Sequence, residues 1–271
     1  MEKVIVITGA SSGIGRSTAK KLIAKGHVVY GLSRRIDKMA DLARLGAQVF
    51  PTDVSDDLSV QEAIARILSE QSRIDVLFNN AGFGVFGTIE NIPPEDIRKQ
   101  FEVNLFGMAR MIKAVLPHMR KRKNGMIINT ASSLGHISIA GLGWYAATKH
   151  AVEAMSDALR MELKHLGIKV VIIEPGAIRT GFDRIAMENL VKTEYPDDYQ
   201  DLLAGFQRYI KKLYENCENQ ENTARIVVKA IESNKPRARY VTTRDARIMI
   251  TLRKFLTDGL YDRISLWLLR N

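Results

Sequence analysis

Tyr145 and Lys149 stand four residues apart in Tyr145-Ala146-Ala147-Thr148-Lys149. On a helix that spacing puts both side chains on one face. A phenol has an ordinary pKa of about 10, poorly matched to proton transfer at neutral pH. An ammonium alongside favours the phenolate and lowers that value. The pair is therefore suited to protonate a developing alkoxide or to take a proton from an alcohol. Ser132 lies thirteen residues before the tyrosine, just past the run Ile127-Ile128-Asn129-Thr130-Ala131, and Ser133 is its neighbour and rival. A hydroxyl at the carboxyl end of a parallel strand opens on the crevice where α/β proteins bind ligands. There it can donate a hydrogen bond to a carbonyl oxygen and stabilise the charge that develops on it.

A second constellation is Thr8-Gly9-Ala10-Ser11-Ser12-Gly13-Ile14-Gly15, between a strand-like run and an amphipathic stretch. Glycines allow a tight turn and let the backbone approach a pyrophosphate. The following helix start supplies free N–H groups and a positive dipole end. Gly9, Ser11, Ser12, Gly13, Ile14 and Gly15 are thus candidate dinucleotide contacts.

These residues need a frame. Short β-branched runs recur at Val4–Thr8, Val28–Ser33, Ala47–Thr52, Asp75–Asn79, Met126–Ala131 and Lys169–Glu174. Between them lie stretches with three- and four-residue apolar spacing, among them Ile14 to Ala24, Leu58 to Leu68 and Ala151 to Leu163. Strict alternation implies βαβ units and a parallel sheet with helices on both faces. No linker or internal repeat interrupts it, so residues 1–271 are expected to form a single domain. Residues 183–220 carry scattered aromatics among charges, with weaker helical periodicity, and are expected to be a substrate-binding loop and helix insertion. A helix over about Thr223–Ser233 and a strand at Arg239–Thr242 follow. Residues 245–271 form a basic, apolar tail.

The spacing Gly-x-x-x-Gly-x-Gly, with the serine and the Tyr-x-x-x-Lys pair in register, resembles the short-chain dehydrogenase/reductase family. The resemblance covers about residues 3–182. It implies a doubly wound Rossmann fold with a mostly parallel seven-stranded sheet. It also implies a carbonyl–alcohol oxidoreductase in which Tyr145 is the acid/base, Lys149 sets its pKa and grips the ribose, and Ser132 polarises the substrate oxygen. Asn104, in Phe101-Glu102-Val103-Asn104, resembles the family's helical asparagine that supports a proton relay. Asp53 and Val54 match the positions that meet the adenine. Asn80, Ala81 and Gly82 match the motif bordering the cofactor. Pro175, Gly176, Ile178 and Thr180 match the turn beside the nicotinamide. The second strand ends Ser33-Arg34-Arg35, where NAD-preferring members carry an acid. An acid there would bond the ribose 2′-hydroxyl, whereas guanidinium groups accommodate a 2′-phosphate, so NADP(H) is the expected cofactor. No metal is expected.

The segments that would surround the carbonyl are Phe83 to Gly87, Leu134 to Ile139, Ala177-Ile178 and the aromatics from Phe182 to Tyr214. They are mostly apolar, with Arg179 the exception. A small lipophilic ketone or alcohol of steroid, retinoid, acyl or aromatic type is expected. The tail resembles the hydroxysteroid and retinol dehydrogenase-like branch. A rival reading, an NADP(H)-sensing regulator with little turnover, is weakened by the presence of all four catalytic candidates.

Lysines and arginines number 40 against 30 acids, a formal charge of +10. That excess fits an anionic cofactor, a nucleic acid or a membrane surface. No nucleic-acid recognition motif appears and the cations are spread along the chain, so no such partner is expected. In the tail, Asp258-Gly259 breaks the pattern, which favours two short packed helices over an interfacial membrane helix. Cys217 is the only cysteine, so no disulfide framework exists, and no long apolar run or signal-peptide core is found. The expectation is a cytoplasmic enzyme. The family resemblance adds a homodimer or homotetramer, formed through the helices after strands four and five.

Overall fold

The computed structural model describes residues 1–181, 187, 190 and 194–270; Phe182 lies outside them. The strands are β1 (Val4–Thr8), β2 (Val28–Ser33), β3 (Gln48–Pro51), β4 (Val76–Asn79), β5 (Gly125–Thr130), β6 (Ile168–Glu174), the short pair β7 (Ile178–Arg179) and β8 (Glu218–Asn219), and β9 (Arg239–Val241). The helices are α1 (Gly13–Ile23), α2 (Ala40–Arg44), α3 (Asp57–Gln71), α4 (Pro94–Phe101), α5 (Met108–Arg122), α6 (Gly143–Leu163), α7 (Gln200–Glu215), α8 (Gln220–Glu232), α9 (Arg244–Arg253) and α10 (Asp258–Arg270).

Seven strands form one sheet in the order β3-β2-β1-β4-β5-β6-β9, and every pairing in it is parallel. The chain winds one way from β1 to β3, then returns to β4 and winds the other way. That reversal opens a crevice at the carboxyl ends of β1 and β4. All residues of β1, β4 and β5 are buried, as expected of strands covered on both faces, and their sequences are correspondingly near-continuous apolar runs. One face packs against α3, α5 and α6 through Ile64, Ile67, Met111, Val115 and Val152. The other packs against α1, α2 and α8 through Leu22, Leu42, Val227 and Ile231.

Local signals set the helix ends. Asp56 caps α3, its carboxylate accepting from the Leu58 N–H at 3.0 Å, and α3 ends where Ser72 turns left-handed at φ 52°. Between α4 and α5 the backbone widens into a π-helical stretch, Glu102–Gly107, which carries Asn104. Such stretches occur often at functional sites. The expected mid-helix position of Asn104 is therefore a local widening of the helix.

A third apolar cluster gathers the loops that follow β4 and β5 with α7 and α10. Phe86, Leu142, Leu203, Phe206, Ile210 and Leu269 form it. Phe86 and Phe206 pack edge-to-face with ring centroids 5.6 Å apart. Burying Phe206 completely contributes about 1.5–3 kcal/mol. Helix α7 is continuous over sixteen residues, longer than the scattered pattern of residues 183–220 suggests. The tail folds as two short helices. Leu269 reaches the third cluster, and a Cβ on Gly205 of α7 would collide with the Leu269 carbonyl, so the two helices touch closely there. Among the described residues, no helix is long and apolar enough to cross a membrane.

Candidate active site

The carboxyl ends of the central strands surround a cavity of about 450 Å³. The turn after β1 forms its floor. Gly9 adopts φ +67°, and a Cβ there would sit 2.9 Å from the Ala81 Cα; Gly13 adopts φ +53° against Thr180. Gly15 does not line the cavity. It sits one layer behind, where a Cβ would fall 2.5 Å from the Asn80 Nδ2 and 2.7 Å from the Gly9 carbonyl oxygen. The turn is a cradle that side chains would fill, and the N-terminus of α1 opens into it. Ser11, Ser12 and Ile14 complete this wall.

Thr8, which the sequence pattern did not single out, holds the turn against the next motif. Its hydroxyl oxygen accepts from the N–H groups of Asn80 and Ala81, both at 3.0 Å. Asn80 in turn donates from Nδ2 to the Thr8 carbonyl at 3.2 Å. Ala81 and Gly82 continue the wall, with Pro175, Gly176, Ile178 and Thr180 across from them.

At one end of the cavity Ser33 donates to the Ser11 hydroxyl at 2.9 Å, and Arg35 reaches the same oxygen from Nη2 at 3.4 Å. Arg34 is exposed and lines the cavity beside Asp53 and Val54. Burial works against the Asp53 charge. Two bonds from Ser55, at 2.6 and 2.9 Å, and the nearby cations Arg34 and Arg110 nevertheless hold its carboxyl below the ordinary value.

At the other end Ser132, Tyr145 and Lys149 converge. Tyr145 lies in the first turn of α6 and Lys149 one turn on. Burial pushes the Tyr145 phenol up, opposed only by a hydrogen bond with Ser132. This departs from the expected lowering by Lys149. Burial is the cause; the ammonium sits 5.6 Å from the Tyr145 ring centroid and donates to the Thr130 carbonyl at 2.8 Å. Burial also pushes Lys149 down, to about 8, with Glu153 opposing. Ser132 donates to the Pro175 carbonyl at 3.3 Å and accepts from the Leu134 N–H at 3.2 Å. Ser133 also lines the cavity, and its backbone N–H donates to the Pro175 carbonyl at 2.9 Å.

Asn104 stands behind this wall. Its Oδ1 accepts from the Phe83 N–H at 3.0 Å, and Nδ2 donates to the Phe83 carbonyl at 2.9 Å and to Thr148 at 3.2 Å. It therefore clamps the loop after β4 to α6. Gly82 is the contact between them, since a Cβ there would lie 3.0 Å from the Asn104 Oδ1.

The space in front of Tyr145 is walled by Phe86, Leu134, Ile139, Leu142, Ile210 and Leu213, with Tyr209 and Tyr214 of α7. Asp245 and Met249 of α9 also line it, which the sequence pattern did not suggest. Arg179 turns away, donating to the Glu215 carbonyl at 3.0 Å. Behind α6 lies a buried charge cluster that no single segment reveals. Arg239 reaches Glu174 and Glu153, both at 3.1 Å, and His136 lies 3.3 Å from Glu174. Glu153 is one helical turn beyond Lys149, on the same face as Tyr145.

The family model of the short chain dehydrogenases matches residues 3–190. The chain is 35% identical over 260 residues to a probable short-chain type dehydrogenase/reductase of Helicobacter pylori, covering 96% of this chain and 95% of that protein. It is 39% identical over 235 residues to a 3-ketodihydrosphingosine reductase of Bacteroides thetaiotaomicron, covering 86% and 85%. To an NADPH-dependent 3-dehydrocapnine reductase of Ornithobacterium rhinotracheale it is 32% identical, covering 96% and 94%. A solved short-chain dehydrogenase of Streptomyces avermitilis superposes with a TM-score of 0.83 at 33% identity, covering 98% and 96%. One of Burkholderia phymatum, solved with NAD, gives 0.81 at 28% identity, covering 94% and 93%. Glycine cradle, parallel sheet and serine–tyrosine–lysine constellation agree with these matches: the chain belongs to the short-chain dehydrogenase/reductase family.

Proposed function

We propose that this oxidoreductase uses NADP(H) to interconvert a ketone and a secondary alcohol on a lipophilic, long-chain substrate. The observation that carries the reading is the convergence, in one cavity, of an acid–base pair, an apolar substrate wall and a cationic rim. The glycine cradle fits a dinucleotide pyrophosphate, and Ser33, Arg34 and Arg35 offer hydroxyl and guanidinium groups where an acid would select NAD. When bound, the dihydronicotinamide supplies a hydride to the carbonyl carbon.

The remaining work falls to the side chains. Ser132 donates a hydrogen bond to the substrate oxygen and stabilises the growing negative charge. Tyr145 delivers its proton to that oxygen, completing the alcohol. The phenolate left behind is stabilised by the Lys149 ammonium once the lysine leaves the Thr130 carbonyl and faces it. Asn104, Asp53, Val54, Asn80, Ala81, Gly82, Pro175, Gly176, Ile178 and Thr180 position cofactor and helix. The apolar wall excludes water and receives a hydrocarbon chain. Two relatives named as reductases of 3-ketodihydrosphingosine and 3-dehydrocapnine support a long-chain 3-keto substrate over a steroid or retinoid.

A panel of long-chain 3-keto amines, steroid ketones and retinaldehyde, followed by NADPH absorbance with NADH as control, tests the reading. Turnover should be selective for the long-chain ketones with NADPH. Silence across the panel, with NADPH bound, would favour a cofactor-sensing role.

A further inference from the structure

Helix α9 is apolar on two sides. Ala246 and Ile250 face inward and are buried, and Met249 lines the cavity. On the opposite side Ile248 and Leu252 are exposed at four-residue spacing, and Phe255, in the turn that follows the helix, is 82% exposed. Helix α10 repeats the arrangement. Leu269 is buried, while Leu260, Ile264, Trp267 and Leu268 are exposed at three- and four-residue spacing, Trp267 by 62%, and Leu266 beside them is exposed as well. A helix packed on its own domain normally turns charged residues to water at those positions. Contiguous exposed apolar residues mark an interaction surface.

The charges bordering these stripes indicate the partner. Residues 244–270 hold six cations and three acids. Two of the acids are engaged: Asp258 pairs with Arg253 at 2.6 Å, and Asp245 accepts from the Ala177 N–H at 3.3 Å. Arg244, Arg247, Lys254, Arg263 and Arg270 are exposed. Apolar stripes bordered by exposed cations complement a bilayer with anionic headgroups. A second copy joined through a two-fold axis would set one net-positive patch against another. The two helices are joined at their junction, where the Arg253 guanidinium lies 4.9 Å from the Tyr261 ring centroid, donates to the Leu256 carbonyl and pairs with Asp258. The Tyr261 hydroxyl donates to the Ser138 carbonyl at 2.6 Å, tying α10 to the loop that carries Ile139 of the cavity wall.

We propose that the outward faces of α9 and α10 form a docking surface for an anionic lipid bilayer, with the substrate cavity directly behind it. Docking stands on the surface alone. That it delivers substrate rests on the long-chain ketone reading above.

Co-sedimentation of the full-length protein with vesicles tests the docking without any substrate. Vesicles of phosphatidylcholine with about 30 mol % phosphatidylglycerol should pellet the protein, and pure phosphatidylcholine should pellet far less. Raising salt to about 0.5 M should weaken the binding. The double substitution Leu252→Ser and Phe255→Ser should lower partitioning at least ~10-fold, since each side chain loses its burial in the membrane interface. The pair Arg247→Gln and Lys254→Gln should lower it about 25-fold, roughly fivefold per charge. All four positions are exposed, so NADPH affinity and thermal midpoint should hold in both variants and report an intact fold. Wild-type protein left in the supernatant, or variants that bind as well as wild type, overturns the proposal. So does a wild-type oligomer that the Leu252→Ser, Phe255→Ser variant dissociates, because a second copy would then cover the face.

Discussion

Replacing Ser33 with Asp and Arg34 with Ala should reverse the coenzyme preference. In the structure the Ser33 hydroxyl is 2.9 Å from the Ser11 hydroxyl within the glycine turn, and Arg34 lines the same end of the cavity. Removing a guanidinium that binds a phosphate removes a charge-assisted bond of about 1.5–3 kcal/mol. At about 1.4 kcal/mol per tenfold, NADPH loses roughly 10- to 100-fold from that change. A carboxylate at position 33 adds repulsion toward the 2′-phosphate of about 1–2 kcal/mol after solvent screening, while NADH gains a hydrogen bond through its ribose 2′-hydroxyl. The NADPH/NADH affinity ratio should therefore fall by roughly 10² to 10⁴, short of the full range because Arg35 keeps one cation at Ser11. Fluorescence titration of each reduced coenzyme reads this directly and needs no substrate. A ratio that shifts less than about threefold, or a wild type that already prefers NADH, would refute the reasoning.

Gly15→Ala should weaken NADPH binding at least ~10-fold and lower the thermal midpoint, because the added methyl meets both the Asn80 amide and the Gly9 carbonyl and must displace the turn. Unchanged titration and melting curves would show that the turn has slack. A second outcome concerns pH. Burial, together with the Glu174 charge, pushes the Glu153 carboxyl up to about 7, and the bond to Glu174 raises His136. Both groups hold protons more tightly when folded. Their contribution is complete below their unfolded values and is lost as pH rises through the folded ones. Arg239, Asp157 and Lys149 surround the same cluster, so the comparison must be internal. The Glu153→Gln protein should gain stability relative to wild type between pH 5 and about pH 8, measured by denaturant midpoints. A difference that stays flat over that interval counts against the cluster as described.

Some of this molecule is legible in its residues, for identifiable reasons. Val4–Thr8 and Val28–Ser33 occur as strands with the expected ends, because strands buried on both faces are written as unbroken apolar runs. Helix α6 begins at Gly143, eight residues before the amphipathic pattern at Ala151 becomes readable. Its first turns present Tyr145 and Lys149 to a cavity, so the apolar stripe starts late. A helix was expected within residues 183–220 but not its extent; α7 runs unbroken from Gln200 to Glu215, with Leu203, Phe206 and Ile210 on its buried face and tyrosines and lysines among its other residues. The cavity lining was readable from one short motif after each strand, since Gly9, Arg34, Asp53, Asn80 and Pro175 follow five different strands and meet in one cavity. The charge cluster of His136, Glu153, Glu174 and Arg239 was not, since it draws on four separate elements, although Glu153 was within reach by its spacing from Lys149. The widened backbone at Asn104 leaves no residue-type signal. Periodicity marked the tail as amphipathic but could not say that its stripes face outward.

In the proposed reaction Tyr145 transfers the proton that accompanies hydride transfer. The most direct test of that role is single-turnover reduction of the best long-chain ketone by pre-bound NADPH in wild-type and Tyr145→Phe proteins. Phenylalanine keeps the ring that lines the cavity and removes only the hydroxyl. NADPH affinity should stay within about threefold of wild type and the chemical step should slow by roughly 10² to 10⁴. A Tyr145→Phe enzyme that binds NADPH and reduces the ketone at the wild-type rate would contradict that role.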